Sequence, residues 1–228
     1  MTIPSPCFVI EELELAKNLI MLNRVQQESG ARILLALKGY ATWATFPQIS
    51  EVLQGVTASG LHEARLGREE FGREVHTYSP AFKEEELGEI LAISDHVVFN
   101  SFAQWEAFRD QALESGVSCG IRVNPQYSEV HPPIYNPCVA GSRLGVIREQ
   151  FRPELLEGVE GLHFHTHCEQ NSDVLERTLH HFEEKFGEFI PQMEWINFGG
   201  GHHITRADYD LNRLIRLISD FRDRHGGV

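Results

Sequence analysis

Short apolar segments alternate with longer amphipathic segments along this chain, and this alternation limits the possible folds more than any other feature. Seven segments have the length and apolar content of buried strands, at residues 33–37, 56–59, 74–78, 96–99, 119–123, 161–165 and 195–198. Helices are predicted over residues 11–29, 43–53, 61–71, 83–92, 102–115, 149–157, 172–189 and 208–224. This order predicts a parallel sheet with crossover helices, either an open doubly wound sheet or a (β/α)8 barrel.

Polar or flexible residues follow nearly every predicted strand. They are Lys38, Ser59, Ser79, Asn100, Asn124, His165 and Gly199. A barrel collects the carboxyl ends of all its strands around one active-site face, whereas an open sheet provides a site only where the strand order reverses. We therefore predict an α/β fold of the TIM-barrel type, with its site at the carboxyl ends of the strands.

Lys38 closes the apolar run of the first predicted strand, and Gly39 follows it. An amine that leaves water at the end of a buried strand loses its proton more easily and can form a Schiff base. The alternative is a lysine whose side chain reaches back to solvent and has no chemical role. Lys38 is therefore a candidate for covalent chemistry.

Gly199, Gly200 and Gly201 stand between a predicted strand and a predicted helix. Consecutive glycines allow backbone N–H groups to approach an anion closely, which suits a phosphate. The spacing matches neither GxGxxG nor the P-loop, so it does not predict a dinucleotide or a nucleoside triphosphate. A flexible turn without a ligand is the alternative.

Three histidines and a thiol follow one another from the sixth predicted strand. Strand alternation predicts that His163, His165 and His167 share one face, with Cys168 directly after them. These residue types could bind zinc, but their spacing is not specific for it. One imidazole stacked on an aromatic cofactor ring, with His163 as an ordinary core residue, is the competing interpretation.

Arg122 ends the fifth predicted strand among small and apolar neighbours. A buried guanidinium requires an anionic or hydrogen-bonding partner. The partner is either a ligand or a carboxylate in a structural ion pair, and the sequence leaves both open.

The chain carries 33 acidic and 20 basic residues among 228, a formal net charge of −13. This balance argues against nucleic acid and anionic membrane as partners, and it is compatible with a cationic substrate. No apolar stretch approaches the roughly 18 residues of a membrane-spanning helix, and residues 1–6 lack the pattern of a signal peptide. The four cysteines show no paired spacing. We expect a cytoplasmic protein with reduced thiols.

Several motifs in this order resemble the fold-type III pyridoxal-phosphate enzymes, the group of alanine racemase and of ornithine and diaminopimelate decarboxylases. They are Ala36-Leu37-Lys38, Thr57-Ala58-Ser59 with Glu63, Arg122-Val123-Asn124-Pro125, Ser142-Arg143-Leu144-Gly145, Phe164-His165 and Gly199-Gly200-Gly201. The resemblance implies a pyridoxal 5'-phosphate cofactor and no metal. It implies catalytic roles for Lys38 and His165. It places Lys38, Ser59, Arg122, His165, Cys168, Gly199, Gly200 and Gly201 at the cofactor.

Within this group the chain is most similar to the carboxynorspermidine (carboxyspermidine) decarboxylase family. The similarity includes Pro6-Cys7-Phe8-Val9, Asn136-Pro137-Cys138, Cys168-Glu169 and the residues from Asn197 to Ile204. It implies decarboxylation of a small cationic amino acid in polyamine biosynthesis, by a homodimer. Lys38 would bind the cofactor covalently, His165 would cover one face of the ring, and the glycines would hold the phosphate.

The chain departs from that family after the glycines. The family continues with an eighth strand bearing Glu-Pro-Gly-Glu and with a carboxy-terminal β domain, and neither is recognisable in residues 202–228. Residues 1–228 are therefore predicted to form an incomplete barrel domain that is not active alone. The chain is either a fragment, a cleaved chain, or one whose carboxy-terminal part is a separate piece, and the sequence leaves these open. Three alternatives stay open: another decarboxylase or racemase of the same fold, a non-catalytic pyridoxal-phosphate-binding barrel, and a metal-dependent barrel hydrolase.

Overall fold

The computed structural model describes residues 3–228. Met1 and Thr2, which begin both the predicted domain and the segment analysed for a signal peptide, lie outside the described residues. Seven strands are present: β1 (Leu34–Ala36), β2 (Gly55–Ala58), β3 (Glu74–Tyr78), β4 (His96–Phe99), β5 (Ser118–Arg122), β6 (Gly161–His163) and β7 (Trp195–Asn197). The α-helices are α1 (Glu12–Ser29), α2 (Phe46–Ser50), α3 (Leu61–Leu66), α4 (Glu84–Ile93), α5 (Phe102–Ser115), α6 (Ser172–Phe186) and α7 (Leu211–Arg224).

The strands form one sheet in the order of the chain, β1 to β7, and every neighbouring pair is parallel. All seven carboxyl ends therefore meet at the same edge of the sheet. The predicted alternation and the α/β class are confirmed, and the sheet has no reversal of strand order that would create the site of an open doubly wound fold.

The sheet curls, and its concave face is lined by alternate residues of each strand. Trp195 of β7 crosses this interior: its ring centroid lies 5.3 Å from that of His96 on β4. Its Nε1 donates to Ser118 Oγ at 2.9 Å. A Cβ on Gly120 or Gly161 would lie 2.3 or 2.1 Å from the indole. Small residues on β5 and β6 thus make the space that this side chain fills.

The barrel is open between its first and last strands. Within the part of the chain that the structure describes, no strand lies between β7 and β1, as the absence of a recognisable eighth strand predicts. The outer helices nevertheless meet across this gap. Arg222 on α7 donates to the Ser29 carbonyl at 2.8 Å, and Arg24 on α1 donates to Asn212 Oδ1 at 2.7 Å. Helix contacts therefore hold the two edges in one curved half-barrel.

The helix predicted over residues 149–157 is wrong. The structure has only two 3₁₀ turns there, Arg148–Gln150 and Pro153–Leu155. Pro153 disfavours the helical conformation at Arg152, whose ψ is 84°. Four other predicted helices are shorter as α-helix than expected, because 3₁₀ or π turns form part of 43–53, 61–71 and 172–189, and α7 begins only after its cap at Asp210.

Across residues 3–228, no helix combines the length and the apolar character needed to cross a bilayer. The apolar core lies between the convex face of the sheet and the helices. Its largest fully buried side chains include Trp105, Phe46, Phe99, Phe164 and Phe182. This packing fixes the strands, and the strands in turn fix the loops at their carboxyl ends.

Candidate active site

The predicted site residues lie at or just after the carboxyl ends of β1, β2, β5, β6 and β7. The half-barrel brings these ends together at one opening, which we call the mouth. Lys38 and His165 are near enough that the charge of Lys38 contributes to lowering the pKa of His165. Arg122 Nη2 donates to the His165 carbonyl at 3.0 Å. The amine, the guanidinium and the imidazole belong to residues 38, 122 and 165, which are distant in the sequence, and the parallel sheet therefore assembles them.

Lys38 is exposed in this structure, which corrects the expectation of a desolvated amine. Leu37, one residue earlier, is buried and donates its N–H to the Thr57 carbonyl at 3.1 Å. The exposure is consistent with β1 being an edge strand, since no strand within residues 3–228 pairs with its free side. A lysine here can be desolvated only by a group that covers the mouth.

His165 carries an uncharged imidazole at neutral pH. Burial, and then the charges of Lys38 and Arg122, lower its pKa to about 3. Its Nδ1 accepts a hydrogen bond from the Gly200 N–H at 3.1 Å, so the single proton of the neutral ring resides on Nε2. A flat, neutral and oriented ring is suited to stacking on an aromatic ligand and unsuited to binding an anion.

Arg122 is 4% exposed and has no carboxylate partner among the described residues, which removes the structural ion pair proposed as its alternative role. Its Nη1 donates to Tyr78 Oη at 2.6 Å, and its guanidinium carbon lies 4.9 Å from the centre of the Tyr78 ring. Burial raises the pKa of Tyr78 despite the opposing charge of Arg122. A buried cation with only neutral partners creates a positive field at the mouth, which favours an anionic ligand.

The three glycines form a turn held against β6 by close backbone contacts. Gly199 and Gly201 have φ of +69° and +94°. A Cβ on Gly199 would lie 2.4 Å from the Phe164 carbonyl oxygen, and one on Gly201 would lie 2.2 Å from the His167 carbonyl oxygen. A Cβ on Gly200 would meet nothing within 4 Å. Only Gly200 therefore faces open space, while its two neighbours are required by the turn itself.

The N–H groups of this turn are partly used inside the protein. Gly199 donates to Asn197 Oδ1 at 2.8 Å and Gly200 donates to His165. The Gly201 N–H donates to no acceptor among residues 3–228. The structure thus leaves fewer free donors for a phosphate than three consecutive glycines suggest, and it couples the turn to the orientation of His165.

His163, His165 and His167 do not share one environment, so the strand alternation predicted for them is wrong beyond His163, where β6 ends. His163 is buried, with its ring centre 5.6 Å from that of Tyr78. His167 Nε2 instead lies 2.8 Å from Thr178 Oγ1 on α6. Their ligand atoms do not converge with that of Cys168, which is exposed, so the metal interpretation has no geometry to support it here.

Ser59 is also exposed at the mouth, and its N–H donates to Glu63 Oε2 at 2.7 Å.

The structure adds residues that sequence reasoning did not assign to the site. Asn100 donates to the Arg143 carbonyl and accepts from the Tyr78 hydroxyl and the Gly145 N–H. Tyr78 links this network to Arg122. Tyr78 and Asn100 could have been assigned from the sequence, because both lie at the carboxyl ends of their predicted strands.

Comparison with known proteins places the chain beside decarboxylases. No family model matches it. Over 224 residues it is 47% identical to a carboxynorspermidine/carboxyspermidine decarboxylase of Campylobacter jejuni, covering 98% of this chain and 58% of that protein. It is 44% identical to a carboxyaminopropylagmatine decarboxylase of Synechocystis, with the same two coverages.

The chain is also similar in structure to a solved decarboxylase. The crystal structure of carboxynorspermidine decarboxylase complexed with norspermidine, from Campylobacter jejuni, superimposes with a TM-score of 0.89 at 45% identity, over 98% of this chain and 58% of that one. The chain therefore spans a little over half the length of the proteins it matches. The site described above lies in the part of these proteins that this chain matches.

Proposed function

Since the chain is homologous over 98% of its length to the carboxynorspermidine/carboxyspermidine decarboxylases, and so belongs to their fold-type III family, we propose that it is the cofactor-binding part of such an enzyme. The observation that carries the proposal is the meeting of Lys38, a neutral His165 and the glycine turn at one barrel mouth. The substrate would be carboxynorspermidine or carboxyspermidine, and the product a polyamine.

The mouth fits pyridoxal phosphate in three respects. Of the four lysines in the chain, Lys17, Lys38, Lys83 and Lys185, Lys38 is the one whose charge lowers the pKa of His165. His165 offers an uncharged ring for one face of a pyridine. Gly200 offers open space beside the free Gly201 N–H, where a phosphate could approach within the positive field of Arg122. The donor set is that of an aromatic aldehyde phosphate, and its described residues do not form a cluster of metal-binding side chains.

When bound, pyridoxal phosphate supplies the electron sink that carbon dioxide loss requires. The chain's own residues would then act around it. Lys38 would hold the cofactor covalently, exchange it with the substrate amine, and carry a proton on its released amine. Arg122 would fix the His165 backbone through its 3.0 Å bond, and the Gly200 N–H would fix the ring through Nδ1.

The chemistry also requires an acidic partner for the pyridine nitrogen of the cofactor, and the described residues do not supply it. The protonated form of the pyridine nitrogen is the better electron sink, and an acidic partner stabilises it. No carboxylate pairs with the mouth residues Lys38, Arg122 or His165 in this structure. We propose that this partner, the cover for Lys38 and the substrate-binding groups come from the part of the protein that corresponds to the remaining length of the relatives, as a segment or as a separate piece.

The function is tested by carbon dioxide release from the full-length protein supplied with pyridoxal phosphate. We expect turnover with carboxynorspermidine and carboxyspermidine, and little with diaminopimelate, ornithine or arginine. Release that is fastest with carboxyaminopropylagmatine would instead identify the activity of the Synechocystis relative, which the 44% identity makes the second candidate. A protein that binds the cofactor and releases nothing from any of these substrates would contradict the enzyme assignment.

The 228-residue chain alone provides the matched comparison in that assay. We expect it to lack turnover and to aggregate, because the free edges of β1 and β7 can pair with other chains. Turnover by the verified 228-residue chain equal to that of the full-length protein would show that the missing part is dispensable.

His165, not His163 or His167, should be the ring that contacts the cofactor. In the full-length protein, His165→Ala should weaken pyridoxal-phosphate binding by about 2- to 12-fold, the factor that corresponds to one aromatic stacking interaction. It should also shift the cofactor absorbance. His167→Ala should leave that absorbance in place, because His167 contacts Thr178 on the outer helix layer. A larger shift for His163→Ala or His167→Ala would refute this assignment.

A further inference from the structure

Three side chains with metal-binding atoms converge at the end of the barrel opposite the mouth. They are Glu74 and His76 of β3 and His96 of β4, and one ligand atom of each lies within 4.8 Å of the other two. All three stand at or near the amino-terminal ends of their strands, away from Lys38 and His165. Among residues 3–228 no other three histidine, cysteine or acidic side chains come together in this way.

The sheet itself creates this cluster. His76 and His96 are direct partners in the parallel register of β3 and β4, so their side chains leave the sheet on the same concave face. Their rings stack with centroids 3.9 Å apart and planes 17° apart. Glu74 lies two residues before His76 and thus on the same face, with its Oε2 3.2 Å from His76 Nε2. Rigid strands, not mobile loops, hold all three groups.

The electronic state of the two rings suits a metal ligand. Burial, and then the neighbouring His96, lower the pKa of His76 to about 4, so its lone pair is available at neutral pH. Burial also lowers the pKa of His96. The buried His96 Nδ1 has no hydrogen-bond partner. Two stacked neutral imidazoles with an unused nitrogen are not explained by the network within the protein, since buried polar atoms are normally paired.

We propose that Glu74, His76 and His96 bind a divalent transition-metal ion of the zinc type, which links β3 to β4 at the end of the barrel opposite the mouth. Two imidazoles and one carboxylate are a ligand set that zinc accepts, with water completing a tetrahedron. Zinc–nitrogen bonds of about 2.0–2.1 Å place ligands about 3.4 Å apart, so the side chains must rotate and the two stacked rings must separate for their lone pairs to converge on one ion.

Arg32 forms an ion pair with the proposed ligand Glu74 and would compete with the metal ion for it, which provides an experimental test of the site. Its Nη1 lies 2.6 Å from Glu74 Oε1, and its side chain is 68% exposed. The guanidinium and a metal ion would require the same carboxylate. Loss of Arg32 should therefore strengthen metal binding, whereas loss of a ligand should weaken it, and an ion bound at unrelated surface histidines would respond to neither change.

The experiment titrates Zn²⁺ into chelator-treated full-length protein and follows binding by calorimetry and by the shift in Tm. We expect one site per chain whose affinity falls about tenfold or more in His96→Gln and in Glu74→Gln. Arg32→Gln should tighten binding by about 2- to 5-fold, the factor typical of one exposed ion pair. The matched control is His62→Ala, an exposed histidine on α3, which should leave both the affinity and the Zn²⁺-dependent rise in Tm unchanged.

Either of two results would overturn the proposal. Wild-type protein that takes up no Zn²⁺ has no such site. Equal affinity in the wild type, His96→Gln and Glu74→Gln places the ion elsewhere. If the ligand variants fail to fold, Arg32→Gln decides, because a change at an exposed arginine leaves the core intact, and an unchanged affinity there excludes Glu74 as a ligand.

Discussion

Replacing Lys38 with alanine in the full-length protein should abolish covalent attachment of pyridoxal phosphate and lower turnover by about 10²- to 10⁴-fold, the range associated with loss of a proton-transferring group. Lys38 is exposed in the half-barrel, so its removal should leave the fold intact. Borohydride reduction followed by peptide mapping measures the first effect, and carbon dioxide release measures the second.

Lys17→Ala is the control for this experiment. Lys17 is exposed on α1, where it pairs with Glu14 at 2.6 Å. This variant should be labelled at Lys38 like the wild type. A reduced cofactor found on Lys17, Lys83 or Lys185, or undiminished labelling of the Lys38→Ala protein, would show that the site has been assigned to the wrong lysine.

Gly201→Ala should destabilise the protein by about 2 to 6 kcal/mol, the second large effect we expect. The new Cβ would lie 2.2 Å from the His167 carbonyl oxygen, at a residue whose φ is +94°. The conformational strain and the overpacking each cost about 1 to 3 kcal/mol. Urea denaturation of the full-length protein without cofactor measures this loss.

Gly200→Ala is the matched comparison, since the same methyl group there meets nothing within 4 Å. It should change the free energy of unfolding by less than about 0.5 kcal/mol. Gly200→Val, which reaches further into the open space, should weaken pyridoxal-phosphate binding while the protein still folds. Equal destabilisation at both glycines would contradict the turn geometry. Unchanged cofactor affinity in folded Gly200→Val would remove the phosphate from this turn.

Much of the fold was predictable because local pattern and sheet topology agree in this chain. Buried parallel strands read as short apolar runs, and each run here except the fifth is followed by an α-helix. The polar residues after the strands indicated the mouth, since parallel strands end at one edge. The segment 149–157 failed because its helical pattern competes with Pro153, and the conformational restriction at Arg152 prevailed.

The state of individual site residues was less predictable. The desolvation of Lys38 was expected from its place at the end of an apolar run, but β1 has a neighbouring strand on only one side and the side chain is exposed. The expected common face of three histidines assumed a strand that continues to His167, but pairing stops at His163. Both predictions used residues adjacent in the sequence. The exposure of Lys38 and the environments of the histidines depend instead on which strands and helices pack beside them.

The amino-acid sequence by itself determined the order of strands and helices, the barrel class, the position of the mouth, and the resemblance through Lys38, His165 and the glycines, because these follow from periodicity and from residues adjacent in the chain. Only the tertiary structure decided that Arg122 has neutral partners, that Gly200 is the one glycine of its turn that faces open space, and that Glu74, His76 and His96 converge. Burial, pairing and pKa are properties of groups distant in sequence, and the curled sheet is what brings those groups into contact.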